Sequence, residues 1–101
     1  NPSDYGCNFC THVSEVIDLV VRVNHPAIRW HLDTGELLMN SENVQGVIQD
    51  HARWIGSVHV SEPWLSDFSS PSPKHHEIAK ALKSSKYSGT ISLEMKRPEA
   101  G

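Results

Sequence analysis

Two hydrophobic periods alternate along this chain. Val13, Val16, Ile17, Val20 and Val21 fall at i, i+3, i+4, i+7 and i+8, the stripe of an amphipathic helix. Thr11 or Ser14 can cap that helix, and Asn24-His25-Pro26 stops it. Residues 28–33 then switch to a period of two. Ile28, Trp30 and Leu32 alternate with Arg29, His31 and Asp33, so an extended strand puts the apolar side chains on one face and the polar ones on the other. Asp33-Thr34-Gly35 ends the strand in an acid and a glycine turn. Residues 37–40 lead to Ser41 as an N-cap, and Val44, Val47, Ile48 and Ala52 mark a second helix ending near Trp54. Residues 55–62 alternate again, with Val58 and Val60 opposite Ser57, His59 and Ser61, and Pro63 closes them. Residues 64–73 are rich in Ser and Pro and predict a long loop. A third helix is predicted over residues 74–84, with Ile78, Ala81 and Leu82 on its buried side. Lys86-Tyr87-Ser88-Gly89 turns into a last strand over residues 90–95, where Ile91, Leu93 and Met95 share one face and Thr90, Ser92 and Glu94 the other.

Helix and strand therefore alternate three times, the order of α/β units with a parallel sheet. The strands are half polar, whereas a doubly wound sheet buries both faces under helices and favours continuous apolar strands. A parallel barrel whose interior is partly polar near its top accommodates these strands better.

Composition narrows the partners. The 38% hydrophobic and 21% charged residues are ordinary for a globular domain. A net charge of -3 offers no basic stripe, so no nucleic-acid partner is expected. No apolar run is long enough for a membrane span, and no basic-then-apolar start marks a signal peptide, which predicts a cytoplasmic protein without membrane attachment. Cys7 and Cys10 are too few for a disulfide framework; with His12 they hint at zinc, but no second pair stands at finger spacing, and ordinary loop cysteines are the simpler reading. His75-His76 at a helix start reads as a solvated pair.

The chemistry concentrates in three residues. Asp33, His59 and Glu94 each lie toward the C-terminal end of a strand, on its polar face, about one strand-helix repeat apart. Singly, Asp33 is a turn or helix cap, His59 a packed interior histidine and Glu94 a strand-end charge. Together, on adjacent parallel strands at one level, they form a ring of metal ligands at the face where parallel barrels carry their chemistry. Two carboxylates and one imidazole suit Mn²⁺, Mg²⁺, Co²⁺ or Zn²⁺, with the oxygen majority favouring the harder ions.

The segments Leu32-Asp33-Thr34-Gly35, Val58-His59-Val60-Ser61-Glu62 and Tyr87-Ser88-Gly89-Thr90-Ile91-Ser92-Leu93-Glu94 resemble the last three strand motifs of the sugar phosphate isomerase/epimerase family, the xylose isomerase-like TIM barrels. The resemblance covers nearly the whole chain and implies that residues 1–101 are the C-terminal part of such a domain: a partial (β/α)8 barrel contributing three strands with their helices. It implies Asp33, His59 and Glu94 as ligands of one divalent metal, and a fourth, glutamate ligand just upstream of a loop like Asn1-Pro2-Ser3-Asp4-Tyr5. Three departures stand out. That upstream glutamate is not within the chain, Glu36 stands where the family often has histidine, and Ser57 replaces the first histidine of a common His-x-His. The last two argue against the endonuclease branch, which relies on extra histidines for additional metals.

The implied reaction removes a proton from carbon beside a carbonyl and returns it elsewhere through an enediolate. Glu94 is expected as ligand and catalytic base, Glu62 as a residue that supports the ligands or touches a hydroxyl of the sugar or sugar phosphate, and His31 as one that orients a ligand, touches substrate or simply packs as an interior histidine. Three strands of an eight-stranded barrel leave open edges and bare apolar faces, so self-association or pairing with an N-terminal barrel half is expected, and the isolated chain is expected to be inactive. Two other classes are weighed. A non-catalytic fragment or assembly partner fits the same residues. A dimeric aspartic protease matches only Asp-Thr-Gly, and such proteins are nearly all β with a glycine-rich flap.

Overall fold

A computed structural model describes Gly6, residues 12–40 and residues 43–96. The Cys7/Cys10 pair, the loop 1–5, and the capping positions Thr11 and Ser41 lie outside the described residues. Helix α1 (Val13–Val23), strand β1 (Trp30–Asp33), helices α2 (Thr34–Asn40) and α3 (Val44–His51), strand β2 (Ile55–Val60), helix α4 (Lys74–Ser84) and strand β3 (Ile91–Leu93) follow in that order. Short 3-10 turns at Ala52–Trp54 and Pro63–Leu65 flank β2. The strands form one sheet in the order β1-β2-β3, both pairings parallel. This is the α/β order with a parallel sheet that the alternating periods predict, and the described residues have none of the all-β character of an aspartic protease.

Each element has a local cause. Asn24 takes the left-handed conformation at φ 46° and ψ 48° and returns its N–H to the Val20 carbonyl, ending α1 as asparagine can. His25 Nδ1 accepts from Ala27 N at 3.0 Å, so residues 25–28 form a turn and β1 starts at Trp30 rather than at Ile28. Asn43 caps α3, its Oδ1 accepting from Gly46 N at 3.1 Å.

One helix departs from expectation. Residues 34–40 form α2 immediately after β1, where the glycine at 35 suggested a turn. Asp33 Oδ1 accepts from Glu36 N at 3.1 Å, the bond of an N-cap, so the acid that ends the strand also starts the helix.

The core lies on one side of the sheet. Trp30, Leu32 and Val58 from the strands meet Leu37, Val44, Ile48, Ile78, Ala81 and Leu82 from the helices. Burying a side chain such as Leu32 or Ile48 contributes about 1.5–3 kcal/mol relative to leaving it exposed. The opposite, polar face carries His31, Asp33 and His59 and has no helix layer among the described elements. Two expectations about the apolar faces change. Val21 on α1 is exposed rather than buried, with only Ile17 and Val20 of its stripe fully covered. The last strand is shorter than residues 90–95, ending at Leu93, and Ile91, Leu93 and Met95 are 57%, 74% and 50% exposed. No helix of the described residues is long and apolar enough to cross a membrane.

Candidate metal centre

Parallel register sets the site. Asp33 on β1 pairs with His59 on β2, and His59 pairs with Ser92 on β3. Glu94 lies two residues beyond Ser92, on the same side by the strand's period of two, and its backbone N–H continues the ladder to Val60 O at 2.9 Å. The three side chains are thus not at one level: two are opposite and the third is one strand repeat higher. The longer glutamate side chain spans the offset, bringing Oε2 to 2.9 Å from His59 Nδ1. One ligand atom each from Asp33, His59 and Glu94 lies within 4.8 Å of the others.

The donor set fits a divalent cation. Ligand atoms around one such ion stand roughly 3–4 Å apart, given bonds of about 2.0–2.2 Å. The 4.8 Å span of the trio is near that spacing, and two carboxylates match a double positive charge. Asp33 and His59 are half-buried and Glu94 is exposed, so the group opens to solvent on one side, as a ligand site requires.

The Asp33 carboxylate is held more tightly than the others. Ser61 Oγ donates to Asp33 Oδ1 at 2.5 Å, and Gly35 N donates to Ser61 Oγ at 3.1 Å. Thr34 Oγ1 donates to Ser61 O and accepts from Ser61 N, both at 2.9 Å. Thr34 and Ser61 are completely buried. This requires glycine at 35, since a Cβ there would stand 2.5 Å from Ser61 Oγ and 2.7 Å from the Glu62 carbonyl oxygen. Thr34 and Ser61 were not singled out from sequence. The available signal was Ser61's place on the polar face with Ser57 and His59, one strand repeat past the histidine.

His31 sits beneath the trio. Its Nδ1 is 2.5 Å from Ser57 Oγ, and its ring meets His59 edge-on, with centroids 4.3 Å apart and planes at 86°. It therefore braces the imidazole of the trio. Glu62 is not brought to the group: its buried Oε1 accepts from Ser72 N at 3.0 Å and pairs with His75 Nε2 at 2.7 Å. That contact ties the loop after β2 to the start of α4, and it gives His75 a defined partner in place of the solvated role expected of it. The Glu36 carboxyl is raised from its ordinary value, by burial first and then by the nearby Asp33 and Glu94 charges.

No protein-family model matches this sequence, and no curated protein matches it. Solved structures do. The chain superposes on D-allulose 3-epimerase from Methylomonas sp. with a TM-score of 0.76 at 23% identity, covering 85% of this chain and 30% of that one. L-ribulose 3-epimerase gives 0.75 at 23% identity, over 85% and 29% of the two chains. For 3-keto-D-glucoside 4-epimerase from E. coli the values are 0.73 and 16%, over 86% and 34%. The chain thus spans about a third or less of the length of these epimerases, and the likeness is one of fold.

Proposed function

We propose that this chain is the metal-binding C-terminal part of a sugar isomerase or epimerase of the xylose isomerase-like kind, acting by proton transfer next to a carbonyl. The observation that carries the reading is the convergence of Asp33, His59 and Glu94, one from the end of each parallel strand, to within 4.8 Å. The fold shared with several sugar epimerases supports it, and one of those structures is a complex with D-allulose. Asp33, His59 and Glu94 would hold Mn²⁺, Mg²⁺, Co²⁺ or Zn²⁺. Such an ion, when bound, supplies positive charge that offsets the charge developing on the substrate oxygens as the adjacent carbon is deprotonated.

The chain's own residues divide the remaining work. Glu94, the exposed carboxylate of the group, would take a proton from a bound sugar or sugar phosphate and return it. His59 holds Glu94 through the 2.9 Å contact, and His31 keeps the His59 ring upright. His31 also lines the open polar face, where it can touch substrate. Glu62 acts at one remove, fixing the loop that follows β2.

The same reading implies a structural partner. Ile91 and Leu93 on β3 and Met95 just beyond it are exposed, and the outer edges of β1 and β3 carry no further strand among the described residues. Additional barrel strands, from a longer polypeptide or a second copy, would cover both.

Calorimetric titration of the folded chain with Mn²⁺ tests the centre. One equivalent should bind, and Asp33→Ala should weaken binding by tenfold or more, by roughly the margin seen when a metal-site contact is lost. A folded sample that takes up no Mn²⁺ refutes the proposed centre. Proton exchange at C3 of ketoses, with upstream strands supplied and with or without EDTA, tests the reaction.

A further inference from the structure

Ser61, like Thr34, is fully buried next to the trio, and every polar function it has is committed. Its backbone N–H and carbonyl are both taken by Thr34 Oγ1, at 2.9 Å each. Its hydroxyl oxygen accepts from Gly35 N at 3.1 Å. That leaves the single hydroxyl proton to point at Asp33 Oδ1, 2.5 Å away. Ser61 is 0% exposed, so no solvent competes for the proton or reorients it. Glu36 N donates to the same oxygen at 3.1 Å. Two donors from two different elements thus converge on Oδ1.

We infer that Ser61 is a positioning residue for the cation site: with the Glu36 amide it fixes Asp33 through Oδ1 and keeps Oδ2 as the oxygen presented to a divalent ion. This rests on the metal-binding reading above and adds a residue to it. The physical basis is entropic and directional. A free aspartate on a solvent-open face samples several rotamers and offers either oxygen or both; one anchored by two donors on one oxygen offers the other in a fixed direction. The anchor is built into the backbone, since the bonds with Thr34 hold the Ser61 main chain and its hydroxyl cannot turn without breaking the bond from Gly35 N. Glu94 has no comparable anchor in its contact with His59, which is half-exposed.

A purely structural role for Ser61 predicts a different outcome, and Thr34 separates the two. Thr34→Val removes the reciprocal bonds between the first residue of α2 and Ser61, just past β2, while leaving the Ser61 hydroxyl facing Asp33. Mn²⁺ affinity by calorimetry, Co²⁺ visible absorption, and the thermal midpoint without metal would be measured on the full chain for wild type, Ser61→Ala, Ser61→Cys and Thr34→Val. Ser61→Ala should raise the Mn²⁺ Kd about tenfold and alter the Co²⁺ d–d bands, Ser61→Cys should fall between it and wild type, and Thr34→Val should lower the midpoint with Kd changed by less than about threefold. If Ser61→Ala does not fold, Ser61→Cys carries the comparison, its weaker donor in the same place still raising Kd. Equal Kd for wild type and both Ser61 variants overturns the assignment, as does a Thr34→Val loss of affinity as large as that of Ser61→Ala. A wild-type chain that binds no Mn²⁺ overturns the assignment too, but by removing the centre itself, a result distinct from tight wild-type binding that Ser61 variants leave unchanged.

Discussion

The β1–β2 half of the sheet and the β3 end are built to different standards. On the first, Trp30, Leu32 and Val58 are buried under helices, and beyond them Thr34, Gly35 and Ser61 form a closed hydrogen-bond network around Asp33. On the second, β3 has three residues, its apolar side chains face solvent, and the exposed Glu94 side chain meets His59. One carboxylate of the proposed centre is therefore pre-organised and the other is adjustable. A site that must hold an ion and also move a proton benefits from that division: the rigid ligand fixes the ion's place, and the loose one changes partners at low cost.

The contrast can be broken most visibly in the core. Leu32→Ala, at a position 1% exposed, should cost about 2–5 kcal/mol by cavity formation, whereas Leu93→Ala, at a position 74% exposed, should stay within about 0.5 kcal/mol. Urea unfolding of the two variants beside wild type measures both; similar losses would mean that β3 is covered in solution. Gly35→Ala comes next. Its Cβ meets the Glu62 backbone at 2.7 Å as well as the Ser61 hydroxyl, and backbone does not yield easily, so a loss of about 1–3 kcal/mol is expected in the same assay.

The smallest effect is the most specific. Glu36 ionises less readily in the folded chain than in the unfolded one, because of burial and then the Asp33 and Glu94 charges. The folded state consequently holds the proton longer, and stability contributed by this position is present at acid pH and falls as pH rises through the ordinary carboxylate range toward the raised value. Glu36→Gln should therefore melt slightly higher than wild type near neutrality and show no advantage well below the carboxylate range. Thermal melts of both proteins from acid to neutral pH test the sign; an advantage that is constant with pH would assign the effect to packing.

The alternation of periods was enough to read the order of elements, because amphipathic stripes and half-polar strands report which residues share a face. It could not say what covers a face. Ile91, Leu93 and Met95 look in sequence like any buried strand side, yet among the described residues none covers them. Helix α2 was hidden for a different reason: Gly35 resembles a turn residue, yet here it serves a close approach between β1 and the end of β2, and the helix is started by Asp33 itself. Capping and metal ligation had been competing explanations of that aspartate. The carboxylate has two oxygens, and the cap uses Oδ1 alone, so the two roles are compatible. The register explains the remaining difference. A one-repeat offset of Glu94 is invisible to spacing, since helix and loop lengths between strands absorb it.

The network around Asp33 has a further consequence for how the chain acquires its site. Ser61 lies 26–28 positions from the residues it engages, and His59 lies 35 from Glu94. No local segment can hold these groups together, and the chain must close two long loops before any of them meet. The site is thus absent from the unfolded chain, and a cation that needs all three strands recognises only the native state. Its binding would register as a rise in melting temperature that grows with the logarithm of ion concentration, making the ion a measure of how much of the chain is folded.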